Sequence, residues 1–349
     1  MNPATRTGPA PVDWDLATST AKRLVRPGPV VSLAEAERTV ADLRAATVVA
    51  EEHVRGLTGM GHGLPVREGD VVDRDGWIEA AAQGIATLTD GALPARSGRV
   101  GGVLSGSAGV QAGMVLAYLG SRVLGQYDPY GGADGRLMMV APNIVAAQRA
   151  LDVPAEDFQL WVALHESTHR LQFTAVPWLA EYFRGQVAGF IAGLEDEATG
   201  LLSRLPEVLK AARSRPDPTA STGPLAIVEM LQSPAQRAAF DRLIALSTLL
   251  EGHADHVMDA VGPAVVPSVA TIRQRFTARR RGGGLLDRVL RSLLGVDAKM
   301  KQYAVGAKFT NHIVGAIGME RFNRVWESPD TLPLRAELGD PDAWLRRVA

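Results

Sequence analysis

The stretch WVALHESTHRLQF, residues 161–173, sets His165 and His169 four apart, with Glu166 directly after the first histidine. An α-helix turns once every 3.6 residues, so both imidazoles project from one face, one turn apart. That spacing lets both rings reach a single ion at roughly 2.0–2.1 Å, with Glu166 beside it as a candidate base. The pattern predicts a zinc-hydrolase helix, and such a helix needs a third ligand from elsewhere in the chain.

A second stretch, LLEGHADHVMDA at 249–260, offers that ligand about 80 residues downstream. On a helix Glu251, Asp255, Met258 and Asp259 share one face. Glu251 would complete a His₂Glu set that leaves a fourth position for water. Asp255, one turn on, is expected to accept the outer N–H of a ligand histidine and fix its tautomer. His253 and His256 fall on the other face, where His253 is a rival ligand or a donor to an oxyanion. Glu181, in PWLAEYF, is a second rival, but it requires the chain to reverse at Pro177. Without a metal, His165 and His169 would simply be polar residues of a half-buried helix. Two histidines at metal spacing beside an acidic-histidine cluster argue against that.

The 349 residues contain no cysteine, which excludes disulfides, thiolate zinc sites and cysteine nucleophiles, so a metal must rest on His, Asp and Glu. Hydrophobic residues make up 46% and charged residues 21%, enough for a sizeable core. A formal net charge of −1 gives no global reason to expect nucleic acid or an anionic membrane as partner. The N-terminal MNPATRTGPAPVDWD has no basic patch leading into an apolar stretch, so a cytoplasmic protein is expected. Residues 100–121 are uncharged and long enough to cross a bilayer, but their six glycines, three serines and Gln111 suit a closely packed buried helix better.

The elements that must position these residues are mostly helical. Residues 1–12 read as a disordered tail, and 13–349 as a single domain. Helical patterns run from Asp13 to about residue 57, with Ser32 an N-cap for a helix that Gly56 and Gly59 stop. DRDGWIEAAAQGIATLT starts another, GRLMMVAPNI (135–144) reads as a strand along the cleft, and a helix follows at NIVAAQRAL. Glu156 or Asp157 opens the motif helix, helical pattern resumes after Pro177, and residues 233–262 form a long helix. Mobile loops are expected near 211–224 and 279–284, and an amphipathic helix at LLDRVLRSLLG. The fold class is mainly α with a small β element.

VDWDLA, VLGQYDPYG at 123–131, VAPNIV at 140–145, HESTHRLQFTAVPWL at 165–179, EGHADHVMD at 251–259 and DAKMKQYAVGAKF at 297–309 carry a further reading. Together they resemble a bacterial, largely actinobacterial family of zincin-like metallopeptidases, often labelled hydrolases associated with deazaflavin-coenzyme biosynthesis. The resemblance implies a zincin-like fold across nearly the whole chain, and its Glu-Gly-His-x-Asp run favours Glu251 over Glu181. His256 stands where the family often has an apolar residue. Tyr303, in MKQYAVG, is a candidate donor to a tetrahedral oxyanion, as a tyrosine is in similar zincins. Tyr127 and Asn143 flank the presumed cleft strand, while His53, His62 and His312 show no metal-like spacing.

The expected activity is Zn²⁺-dependent attack of water on a peptide or other small amide substrate. His165, His169 and Glu251 hold the metal, Glu166 is the general base, and His253 or Tyr303 meets the oxyanion. The alternative is a metal-bound binding or regulatory protein that keeps the same shell without turnover.

Overall fold

The structure, a computed structural model, describes residues 12–90, 98–192, 234–281 and 296–348. In chain order its elements are α1 (Trp14–Leu24), α2 (Leu33–Thr58), β1 (Asp70–Val72), α3 (Arg74–Thr89), α4 (Gly98–Gly120), β2 (Gly125–Asp128) and β3 (Arg136–Val140). Then come α5 (Ala141–Leu151), α6 (Ala155–Thr174), α7 (residues 179–192), α8 (Pro234–Ala260), α9 (Val269–Arg281), α10 (Val296–Phe322) and α11 (Pro341–Val348). The mainly helical architecture with a small sheet is as the sequence predicts.

Local chemistry explains several boundaries. The Ser32 hydroxyl accepts the Glu35 N–H at 3.2 Å and opens α2. Gly56 does not stop that helix; it runs on to Gly59, whose left-handed backbone (φ 70°) ends it. The helical pattern expected from Asp13 to about residue 57 is two helices, interrupted at 25–32 just before the second one, where Pro27 and Pro29 deny the backbone its donors. Asp73 caps α3 by accepting the Gly76 N–H at 2.8 Å. The motif helix begins at Ala155, one residue before Glu156, and Glu156 and Asp157 lie in its first turn.

The expected strand is found as β3, but it is the centre of a three-stranded sheet in the order β1-β3-β2, with β1 parallel and β2 antiparallel to it. β3 is buried on both faces, which is why LMMV is apolar without alternation. Leu137 and Met139 face the main core, built from α2, α5, α6, α8 and α10. Val140 joins a second core under α1, α3 and α4. It is β2, not β3, that lies along the motif helix at its Glu166: a Cβ built on Gly125 would come within 2.6 Å of Glu166 Cγ.

The uncharged segment at 100–121 forms α4, packed tightly on α1. Cβ atoms on Gly109 and Gly113 would sit 2.6 Å from the Asp13 and Ala17 carbonyl oxygens, so only glycine allows this approach. Among the described residues no helix is long and apolar enough to cross a membrane. The expected tail, save Val12, the loop at 211–224 and the amphipathic stretch at 285–295 lie outside the described residues. Of the expected break at 279–284, the first three residues end α9.

A buried ion pair fixes the outer side of α6. Glu51 on α2 is 1% exposed, and its carboxylate accepts from Arg170 Nη1 at 2.8 Å and Arg55 Nε at 3.1 Å. Arg55 also donates to the Leu64 carbonyl at 2.8 Å, and Arg170 to that of Arg67, so the segment before β1 is held by the same carboxylate. Removing one member of such a pair leaves desolvated charge behind. Glu51→Ala is therefore expected to lower unfolding stability by roughly 3–5 kcal/mol, read from urea melts. A loss under about 1 kcal/mol, the range of exposed pairs, would show that the cluster is solvated.

Candidate metal centre

α6 contributes His165 and His169, and α8 contributes Glu251 from across the helix interface. The two Nε2 atoms are 3.1 Å apart, and Glu251 Oε2 lies 3.4 Å from His165 Nε2 and 3.7 Å from His169 Nε2. These are the residues that, among those described, group as a possible metal site. A tetrahedral ion with bonds near 2.0–2.1 Å needs ligand atoms about 3.3 Å apart, so the triangle has the right edge lengths.

The outer nitrogens show what the inner ones must be. His169 Nδ1–H donates to Gln172 Oε1 at 2.8 Å, and His165 Nδ1–H donates to the Met258 sulfur at 3.3 Å. With both Nδ1 atoms acting as donors, each neutral ring presents an Nε2 lone pair inward. Two lone pairs and a carboxylate oxygen then face one another, an arrangement that a cation, or a proton in its place, stabilises. The electrostatics agree. Burial pushes His169 down, but its hydrogen bond to Glu251 and the charges of Glu251 and Glu166 override this and raise it to about 9. Burial likewise pushes Glu251 up, yet the bonds from His165 and His169 hold its carboxyl well below the usual range.

The helix crossing behind Glu251 explains the glycine of EGH. Gly252 meets Gly306 of α10: a Cβ on Gly252 would come within 2.1 Å of the Gly306 carbonyl carbon, and one on Gly306 within 2.1 Å of the Thr248 carbonyl oxygen, one turn before Gly252. Glu166 is 6% exposed and sits under Gly125 of β2, close enough for its charge to act on His169.

The other predicted site residues are placed differently. Asp255 does not reach the outer nitrogen of either histidine; Gln172 and Met258 occupy those places, and Asp255 accepts from Arg273 Nη1 of α9 at 3.0 Å. Arg273 also bridges to Asp259 at 2.8 Å, so α9 draws this acidic row away from the site. His253 is 0% exposed rather than in a cleft, stacked on Phe322 with ring centroids 5.4 Å apart and 5.5 Å from Trp326. Burial, with the nearby His256 and His169, lowers its pKa to about 3, so it stays neutral. It is not among the residues that group as a possible metal site.

Glu181 is 79% exposed and pairs with Arg184, so it is no third ligand. Asn143 is structural, donating to the Gly120 and Val123 carbonyls at 2.8 and 2.7 Å. Tyr127 packs on Phe173, and burial raises its pKa to about 12. Tyr303 lies on α10 in a stretch whose side chains fall outside the described residues. Sequence reasoning missed Gln172, although it stands three residues after His169 and hence on the same face.

Helices crossing over a small sheet bring two histidines of one helix and a glutamate of another into a group that could hold a metal ion. Residues 12–345 match the family of zincin-like metallopeptidases, and the chain belongs to that family. It is also similar to the crystal structure of a "putative hydrolase with a novel fold" from Chloroflexus aurantiacus. That similarity extends over 96% of this chain and 98% of the other, at 33% identity and a TM-score of 0.68. No curated protein matches the chain.

Because Asp255 is bound to Arg273 at a partly exposed site, Asp255→Asn is expected to leave zinc affinity unchanged and to cost about 1 kcal/mol or less of stability. A competition titration showing a loss of roughly tenfold or more would return Asp255 to the support of a ligand histidine.

Proposed function

We propose that the protein is a zinc-dependent hydrolase acting on peptide or other amide bonds. The observation that carries this reading is the convergence of His165, His169 and Glu251 at 3.1–3.7 Å, with the buried Glu166 beside them. His165 and His169 would hold the ion through Nε2 and Glu251 through a carboxylate oxygen. When bound, Zn²⁺ supplies Lewis acidity, bringing the pKa of a water to about 7 and polarising the substrate carbonyl.

Glu166 does the proton work. Its carboxylate accepts the proton of the attacking water and passes it to the leaving nitrogen, so charge need not accumulate on either. Burial under Gly125 confines it, which keeps the base in one place through both transfers. β2 is an edge of the described sheet with β3 on one side only, so an extended substrate backbone can align along it. Tyr303 keeps the proposed role of donor to the oxyanion; His253 does not. A protein that only displayed a metal would have no use for a carboxylate in Glu166's position. The cytoplasm is the proposed compartment, and the deazaflavin association implied by the resemblance adds no residue to this site.

Purified without chelator, the protein should carry about one zinc per chain, since three protein ligands make a tight site. His165→Ala, His169→Ala and Glu251→Ala are expected to empty it, while Glu166→Gln retains the metal and loses hydrolysis of a peptide library. Emission spectrometry that finds no stoichiometric metal after zinc is resupplied would sink the zinc reading. Loss of metal from Glu166→Gln would instead make Glu166 a ligand.

A further inference from the structure

Gln172 crosses between the two ligand helices. It is 0% exposed and makes three contacts. Its Oε1 accepts from His169 Nδ1–H at 2.8 Å, and its Nε2 donates to the Leu250 carbonyl at 3.0 Å and to His253 Nδ1 at 3.0 Å. Leu250 directly precedes Glu251, so one side chain of α6 is tied beside both a ligand of its own helix and the ligand of the other.

An amide can turn over, and the two orientations have opposite consequences here. A backbone carbonyl only accepts, so Leu250 requires the NH₂ group on its side. That leaves the oxygen for His169, which must then carry its proton on Nδ1 and its lone pair on Nε2, toward the metal. The second amide proton needs an acceptor in a site closed to water, and His253 Nδ1 is that acceptor. With Nδ1 so used, the neutral His253 carries its proton on Nε2, inside the box of Phe322 and Trp326. The histidine of EGH thus has a use that is neither ligation nor proton transfer.

We propose that Gln172 is a positioning residue of the metal centre: clamped by Leu250 and His253, its amide holds His169 in the metal-binding tautomer and links the two helices that carry the ligands. The flipped amide would offer N–H to His169, move that ring's proton to Nε2 and block the bond. The inference rests on the zinc reading.

The test compares zinc affinity, measured on metal-free protein against a chromophoric chelator, for Gln172→Met, Gln172→Glu and His253→Phe. Methionine keeps the length and volume without a good acceptor, whereas glutamate, carrying a proton on the oxygen beside the Leu250 carbonyl, keeps both the donor to Leu250 and the acceptor facing His169, and His253 can turn its other tautomer toward it. Gln172→Met is expected to bind roughly 10–100-fold more weakly, with Gln172→Glu within about threefold of wild type. If Gln172 merely fills space, the order reverses, since an apolar slot accepts methionine more readily than a carboxylate, and the proposal falls.

In the cobalt-loaded protein the His169 ring N–H should give a hyperfine-shifted, slowly exchanging proton signal that Gln172→Met loses. Its persistence would also overturn the proposal. Should the methionine variant not fold, His253→Phe decides: it keeps a ring in the aromatic box and is expected to weaken zinc several-fold. Affinity unchanged there, or lost as completely as in His169→Ala, overturns the clamp. Wild type that takes up no zinc defeats the zinc reading itself; wild type and Gln172→Met binding equally defeat only this inference.

Discussion

Three hydrogen-bond acceptors converge where water is largely excluded, and the rest of the chain is arranged to hold them there. Lone pairs of His165, His169 and Glu251 facing one another at 3.1–3.7 Å repel unless positive charge lies among them. Burying the carboxylate of Glu251 alone would be costly for the same reason. The structure meets this by approaching the point from two helices, each anchored on its far side. α6 is pinned to α2 through Glu51 and Arg170, and α8 is set against α10 where Gly252 meets Gly306. Each anchor is one residue from a ligand, Arg170 after His169 and Gly252 after Glu251, so the triangle is maintained by the scaffold rather than by the ligands' own attraction.

How much of this is legible in the sequence depends on whether the decisive interaction is local. His165, Glu166 and His169 are readable because one helical turn alone aligns them. Glu251 is readable as a candidate from its composition and its neighbours, and the long helix carrying it is clear from periodicity. Asp255 fails as a support because a helical wheel gives the direction of a side chain but not what approaches from outside. Arg273, on an element eighteen residues later, decides that. His253 fails likewise: the helical wheel puts it on the other face from Glu251 but cannot show that the space there is closed by Phe322 and Trp326, far along the chain. Gln172 was in plain view within the motif, yet an amide gives no spacing signal comparable to a pair of histidines.

The sheet shows the same division. LMMV announces itself as a strand through four consecutive apolar residues. DVV and GQYD are too short or too polar to do so, and they are strands only because β3 pairs with each. The strand that meets Glu166 is thus the one with the weaker pattern. Its fitness for that place lies in an absence: Gly125 has no side chain where Glu166 needs room.

The contact between Gly252 and Gly306 also governs how the site yields under load. Between α6 and its neighbours the helices are separated by a layer of side chains, which can change rotamer and absorb a displacement of some tenths of an ångström. At this crossing the backbones touch, so that cushion is missing. A tilt of α10 is delivered undiminished to α8 one residue from Glu251, whereas His165 and His169, on α6, are insulated by packed side chains such as Leu171, Leu246 and Leu249. The triangle is therefore stiff along two of its corners and geared at the third. Strain that reaches α10 bears first on the backbone beside Glu251, and is passed to His169 only through Leu250 and the Gln172 amide.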